Sequence, residues 1–347
     1  MNIREKIEVQ EKRILSERAT LSISSKGRKV KETLDNIRTE FMRDRDRIIH
    51  SEAFRRLKHK TQVFLSPTSD TFRTRLTHTL EVSQIARTIS RSLMLNEDLT
   101  EAIALGHDVG HTPFGHSGEQ VIRELAYPDF KHSDQSVRVM EHLEKNRKGL
   151  NLTFEVLDGI KKHSKTGKVH IVPGNDDDLP YTLEGQVVRF SDIIAYINHD
   201  IDDALKSGIL KVNDLPQKTK NILGNTHSER INTLVVDVVN SSCDKDIIKM
   251  SDEVLDATED LRDFLFENVY KHPIILSEMD KAKNILSELY FFLMKNMKIV
   301  NDAFSEVDYK KDEDEKRALV DFIALITDNE AMKLYYKYFI PKSFYFI

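Results

Sequence analysis

The segment Gly106-His107-Asp108-Val109-Gly110-His111-Thr112-Pro113-Phe114-Gly115-His116 places three imidazoles and a carboxylate within eleven residues. Imidazole and carboxylate together bind divalent cations and carry protons near neutral pH. The residues before it, Leu99 to Leu105, have helical periodicity, with Leu99, Ala102, Ile103 and Gly106 on one face. Gly110 and Pro113 prevent a smooth continuation. A helix therefore ends inside a cluster of ligand-type side chains. Seven histidines (His78, His107, His111, His116, His132, His142 and His163) fall within one quarter of the chain, out of 13 in all. A cluster this dense points to metal or catalytic chemistry rather than to a polar loop.

The metal ligands expected are His78, His107, Asp108 and Asp192. Two imidazoles and two carboxylates suit a divalent ion such as Mn, Mg, Fe, Co, Ni or Zn, with positions open for water and a substrate oxygen. Cys243 is the only cysteine, so neither a closed thiolate zinc site nor a disulfide framework is available. His111, His116 and His132 are then surplus to the ion and suit phosphate binding and proton transfer. No P-loop, dinucleotide-binding glycine pattern or nucleophile elbow competes. The residues alone thus describe a metal-dependent phosphohydrolase whose substrate they do not name.

Those side chains need helices to hold them. Residues 73–95 form an amphipathic helix with Leu76, Leu80, Ile85, Ile89 and Leu93 inward and His78 in its first turns. The segment after His116 is the next helix, with Glu119 near its start. Residues 128–135 are a loop bearing His132. Helices follow through His142 and through the segment ending at His163. Residues 165–182 make a long loop, after a shorter turn at 66–70. The helix at 183–205 carries Asp192, Tyr196 and Asp200 at i, i+4 and i+8, on one stripe. Upstream, residues 1 to about 20 form a charged helix and 21–35 a loop. Residues 38–64 have helical spacing with Arg43, Arg45, Arg47, Arg55, Arg56, Lys58 and Lys60 interleaved with Asp44, Asp46 and Glu52. That face is either a set of solvated charge pairs or a polyanion site. Helices near 228–242, 252–270, 275–303 and 315–340 form a C-terminal scaffold, and the aromatic end docks on the body or on a second copy.

Composition agrees with an all-α globular protein. Charged residues make up 31% and hydrophobic ones 39%, with 12 glycines, 8 prolines and no tryptophan. A net charge of −5 argues against a globally basic nucleic-acid binder but leaves a local patch open. No apolar run approaches the roughly 18 residues needed to span a bilayer, and the first residues lack the apolar stretch of a secretory signal. A cytoplasmic location is the default expectation.

The order His78, His107-Asp108, Asp192 resembles the HD superfamily of metal-dependent phosphohydrolases. Longer strings are more specific: RTEFMRDRDRIIHSEAFRRLKHKTQVF, RTRLTHTLEVSQIARTI, GHDVGHTPFGHSGE and LEGQVVRFSDIIAYINHDIDDAL resemble the deoxyguanosinetriphosphate triphosphohydrolase-like group. The resemblance implies an HD-domain helical bundle with added C-terminal helices. It implies an N-terminal helix and loop at 1–27, a catalytic core at 28–210 and a helical region at 211–347 that packs on the core and contributes subunit contacts. The implied reaction converts a dNTP to deoxynucleoside and inorganic triphosphate by attack at the α-phosphorus. Under it His78, His107, Asp108 and Asp192 hold the metal. His111, His116 and His132 act near the scissile bond, with Glu119 orienting a histidine. Arg75 and Arg56 serve the phosphates; Gln62, Tyr196 and Asp200 read the sugar. Homo-oligomers and secondary single-stranded nucleic-acid binding are further expectations. Alternatives are an HD phosphohydrolase of another specificity, such as a nucleoside 5′-monophosphatase or phosphodiesterase, and a nucleic-acid-binding module.

Overall fold

The computed structural model describes residues 1–65, 71–164, 179–303 and 315–342. The expected turn at 66–70 and most of the expected loop at 165–182 lie outside them. Among the described residues the regular structure is helical, with only two isolated bridges, Arg28 to Thr153 and Thr61 to Thr74.

Two helices form the centre. Helix α5 (Glu97–Gly106) starts at Asn96, whose side chain accepts from the Leu99 amide, and buries every residue from Leu99 to Gly106 except Glu101. Helix α10 (Leu183–Lys206) is capped by Thr182 and is buried along most of its length. Between them lies α4 (Arg75–Ser92), capped by Thr74. Helix α2 (Glu40–Ile49) packs on α5 from the other side, after α1 (Ile3–Ile14) and its following loop. The continuous periodicity expected over 38–64 is interrupted. Ser51 caps a separate short helix, α3 (Glu52–Arg56), because its hydroxyl accepts from the Phe54 amide.

After the histidine stretch come α6 (His116–Leu125) and α7 (His132–Arg138). His132 is thus the first helical residue rather than a loop residue. The turn α8 (Glu144–Arg147) has left-handed backbone at Lys145 and Asn146, and α9 (Phe154–Lys162) then packs on α5, α7 and α10. A second set comprises α11 (Gln217–Leu223), α12 (His227–Ser242) and α13 (Asp252–Leu265), which extend the main core. Helices α14 (Pro273–Lys295), α15 (Met297–Ala303), α16 (Glu315–Leu325) and α17 (Asp328–Phe339) enclose a smaller core with α6. The single helix expected over 315–340 is two, because Thr327 caps α17 with a reciprocal bond to Glu330. The aromatic end docks in part: Tyr335 stacks on Phe339, which also meets Phe292. Its last residues lie outside the described ones. No described helix is long and apolar enough to cross a membrane.

Candidate metal and phosphate site

His107 closes α5, and its Nδ1 lies 2.7 Å from the Ala104 carbonyl oxygen. A carbonyl only accepts, so Nδ1 carries the proton and Nε2 keeps its lone pair. That Nε2 is buried and has no hydrogen-bond partner. It faces Asp108 Oδ1 at 3.5 Å and Asp192 Oδ1 at 3.9 Å. Helix α4 brings His78 Nε2 to 3.1 Å from Asp192 Oδ1 and 3.9 Å from Asp108 Oδ2. The donor atoms of His78, His107 and Asp192 all lie within 4.8 Å of one another. An orphaned imidazole lone pair between carboxylates fits a divalent cation, since buried polar atoms otherwise find partners.

The carboxylates are held ionised. Burial pushes Asp108 up, but His111, His107 and Arg75 outweigh it and hold the carboxyl well below its usual range. Burial also raises Asp192, yet His78, His107 and His163 bring it down to about 2.

Next to this cluster lies a second one. His111 stacks on His132 with ring centres 3.8 Å apart and an interplanar angle of 14°, and its Nε2 lies 3.2 Å from Asp108 Oδ1. Burial, with Arg75 and His132 adding and Asp108 opposing, pushes the His111 imidazole well below its ordinary value. Glu119 Oε2 is 3.3 Å from His132 Nδ1 and 3.4 Å from His116 Nδ1. Its Oε1 accepts from Arg123 at 2.6 Å. Burial opposes its ionisation, but bonds to His116 and His132 and the electrostatic pull of His132 and His111 hold it far below the carboxylate range. The His116 side chain is 71% exposed, so it stands in solvent with a carboxylate behind it.

The loop between the clusters owes its shape to glycine at two points. A Cβ on Gly110 would lie 2.2 Å from the Ser136 amide nitrogen, so only glycine lets the stretch lie against α7. Gly115 has φ +56° and follows Phe114 at φ 57°. This consecutive positive-φ pair starts α6 and leaves the His116 ring edge-on to His111, with ring centres 5.7 Å apart.

Other expected residues are placed as follows. Arg75 is buried and donates to Asp108 Oδ2 at 2.7 Å, so its guanidinium braces a carboxylate. Arg56 donates to the Leu325 carbonyl at 2.9 Å and pairs with Glu52. The Gln62 Oε1 is buried without a partner. Burial raises the Tyr196 hydroxyl, with Arg262 opposing and Asp192 and Asp200 adding. Asp200 is buried and accepts from the Tyr270 hydroxyl, while its Oδ1 lies 2.8 Å from His199 Nδ1. His199 Nε2 in turn meets His78 Nδ1 at 2.9 Å. The basic face at 43–47 consists of charge pairs: Arg43 with Glu32 and Glu40, Arg45 with Asp98 and Glu101, and Arg47 with Glu32.

His199 and Tyr270 belong to this neighbourhood but carry no role in the sequence reading, which leaves His163 open, with a second metal ion shared with His132 as one option. His163 Nδ1 donates to the Ile160 carbonyl, and its Nε2 lies 3.3 Å from His132 Nε2. Burial, His107 and His132 push it down to about 3. His199 had a signal, since it lies seven residues after Asp192 on the same stripe. Tyr270 had none, arriving from a distant turn of the chain.

The geometry can be set beside known proteins. The HD domain family matches residues 75–197, which contain all four expected ligands, and the phosphohydrolase-associated domain matches 248–337. The deoxyguanosinetriphosphate triphosphohydrolase-like protein of Desulfatibacillum aliphaticivorans is 51% identical over 348 residues, covering 98% of this chain and 99% of that one. Its counterpart from Caldanaerobacter subterraneus subsp. tengcongensis is 52% identical, covering 99% and 98%. That of Clostridium tetani is 46% identical, covering 99% and 97%. The likeness therefore runs through the C-terminal helices as well as through residues 28–210. A histidine and aspartate cluster able to hold a metal, an all-α HD fold and relatives of the same length agree: the chain belongs to the deoxyguanosinetriphosphate triphosphohydrolase-like family of HD phosphohydrolases.

Proposed function

We propose that the protein hydrolyses a deoxynucleoside triphosphate to deoxynucleoside and inorganic triphosphate with a divalent ion held by His78, His107, Asp108 and Asp192. The observation that carries this reading is the junction of two clusters through Asp108: the orphaned His107 Nε2 lies on one side and the Glu119-backed histidines on the other. When bound, the ion supplies Lewis acidity for a phosphoryl oxygen and lowers the pKa of water.

The chain's own groups account for the rest. Arg75 fixes the Asp108 carboxylate, and His199 fixes the His78 ring by meeting its Nδ1. Water adds at the α-phosphorus, and the bond from that phosphorus to O5′ breaks. The leaving O5′ takes a proton from His116, whose Nδ1 stays on Glu119, and the proton given up by the attacking water passes to solvent, from which His116 is reprotonated. His111 and His132, stacked beside it, contact the phosphates. Tyr196 packs against the deoxyribose, where a 2′-hydroxyl would clash. Gln62, with its free Oε1, and Asp200 meet the 3′-hydroxyl. Arg56 adds to the phosphate field. Residues 28–210 form the catalytic core and 211–347 the region packed on it.

The test is incubation of the full chain with each dNTP and Mn²⁺ or Mg²⁺, followed by anion-exchange separation of the phosphates. Triphosphate in equal yield with deoxynucleoside is expected. Orthophosphate or pyrophosphate as the only product would assign the site to an HD phosphohydrolase of another specificity.

A further inference from the structure

Lys60 and Asp328 are buried charged residues outside both clusters. Lys60 Nζ donates to the carbonyl of His111 and, at 2.7 Å, to that of Ala324. Asp328, the first residue of α17, accepts from the Phe114 amide through Oδ1 at 2.9 Å. Its Oδ2 accepts from the Thr61 amide at 2.8 Å and from the Thr61 hydroxyl. The break between α16 and α17 thus grips the histidine loop at two points, His111 and Phe114.

Phe114 is a non-glycine residue in the left-handed region. Such a backbone persists only where surroundings over-determine it, and the bond from its amide to Asp328 does so. A third attachment lies one turn earlier on α16. Asp321, fully buried, accepts from Gln135 and from Arg138 of α7, the helix that begins at His132. The pieces bearing His111, His116 and His132 are therefore all fastened to one C-terminal elbow. None of these bonds involves an expected metal ligand.

We infer that the α16–α17 elbow is a clamp for the histidine loop, with Lys60 and Asp328 as positioning residues that hold His111 and His116 in their reactive arrangement. The phosphohydrolase-associated region would then complete the active site rather than only support subunit contacts. The activity arm of the test rests on the reading proposed above; the exchange arm does not.

The test compares full-length, metal-loaded wild type with Lys60→Met, Asp328→Ala and, should the alanine variant not fold, Asp328→Asn, whose amide can satisfy only one of the two sets of donors. Hydrogen exchange followed by mass spectrometry is read for residues 109–118 and, as reference, for α4, α5 and α10. Exchange in 109–118 is expected to rise about tenfold or more with the reference helices unchanged, since sub-global opening reports local bonds. Metal stoichiometry stays at the wild-type value, and the kcat for dNTP falls by about tenfold or more with a smaller change in KM. Unchanged exchange in 109–118, or a rise shared equally by the reference helices, would overturn the inference. Altered loop exchange in a protein lacking dNTP turnover would keep the clamp and dismiss the substrate assignment.

Discussion

His107 makes the logic of the site visible in one ring. Its Nδ1 is committed to a backbone carbonyl, which leaves Nε2 buried, unprotonated and unpartnered. Replacing His107 or Asp108 by alanine is expected to remove bound metal and dNTP turnover together, as measured by elemental analysis alongside product formation. His199 acts one shell further out, so His199→Ala should weaken metal affinity by about 10–100-fold, with turnover recovering at high metal concentration. Titration calorimetry with Mn²⁺ checks it; an unchanged affinity would remove His199 from the account. Asp200 is a sharper case. The stripe it shares with Asp192 and Tyr196 suggests sugar contact alone, with metal binding independent of it. The structure lets its carboxylate accept from the Tyr270 hydroxyl and sets it 2.8 Å from His199 Nδ1 without a hydrogen bond, so Asp200→Ala should raise KM for a dNTP while the metal is retained.

Elements position these side chains, and here sequence and structure part company in instructive places. Helical periodicity made α4, α5 and α10 legible as helices, but Leu80, expected inward on α4, is exposed, and Val82, Ala86 and Ser90 are buried beside Ile85 and Ile89 instead. The clustering of histidine and aspartate was legible because imidazoles and carboxylates are rare at that density. The breaks were not. Ser51 divides 40–56, and Thr327 divides 315–339, through side-chain caps that leave the apolar period almost undisturbed. Lys60 belongs to a face that the sequence leaves open between solvated charge pairs and a polyanion site, and Asp321 and Asp328 carry no signal there. Apart from Arg317, four residues before Asp321, the partners named here lie 183–267 residues away or are backbone carbonyls, so little in the local pattern announces them. Glycine at the histidine loop was legible as a helix stop but not as close packing. Gly110→Ala would force a methyl group against the α7 backbone. It is expected to cost about 1–3 kcal/mol, in the range of overpacked cores, and to lower Tm in a calorimetric scan.

At the scale of the whole molecule, buried Lys60 joins the histidine loop to α16. Burial pushes its ammonium down to about 7, with Asp328 opposing and Arg56 and Arg75 adding. Its unfolded value is near 10.5, so between about 7 and 10.5 the unfolded chain binds more protons than the native one. Stability from this group therefore rises with pH across that window and carries a constant penalty below it. Tm of the metal-free protein, measured at pH 7 and pH 9.5, should move in favour of wild type over Lys60→Met as pH rises. A gap that stays constant would contradict the burial of that charge.

The central claim is that water attacks the α-phosphorus of a dNTP at this site and releases the triphosphate intact. Turnover of a dNTP in H₂¹⁸O with Mn²⁺, followed by mass spectrometry of both products, tests it most directly. The account predicts one ¹⁸O in the inorganic triphosphate and none in the deoxynucleoside. Label in the 5′-hydroxyl of the deoxynucleoside, or in orthophosphate or pyrophosphate without any triphosphate, would contradict it.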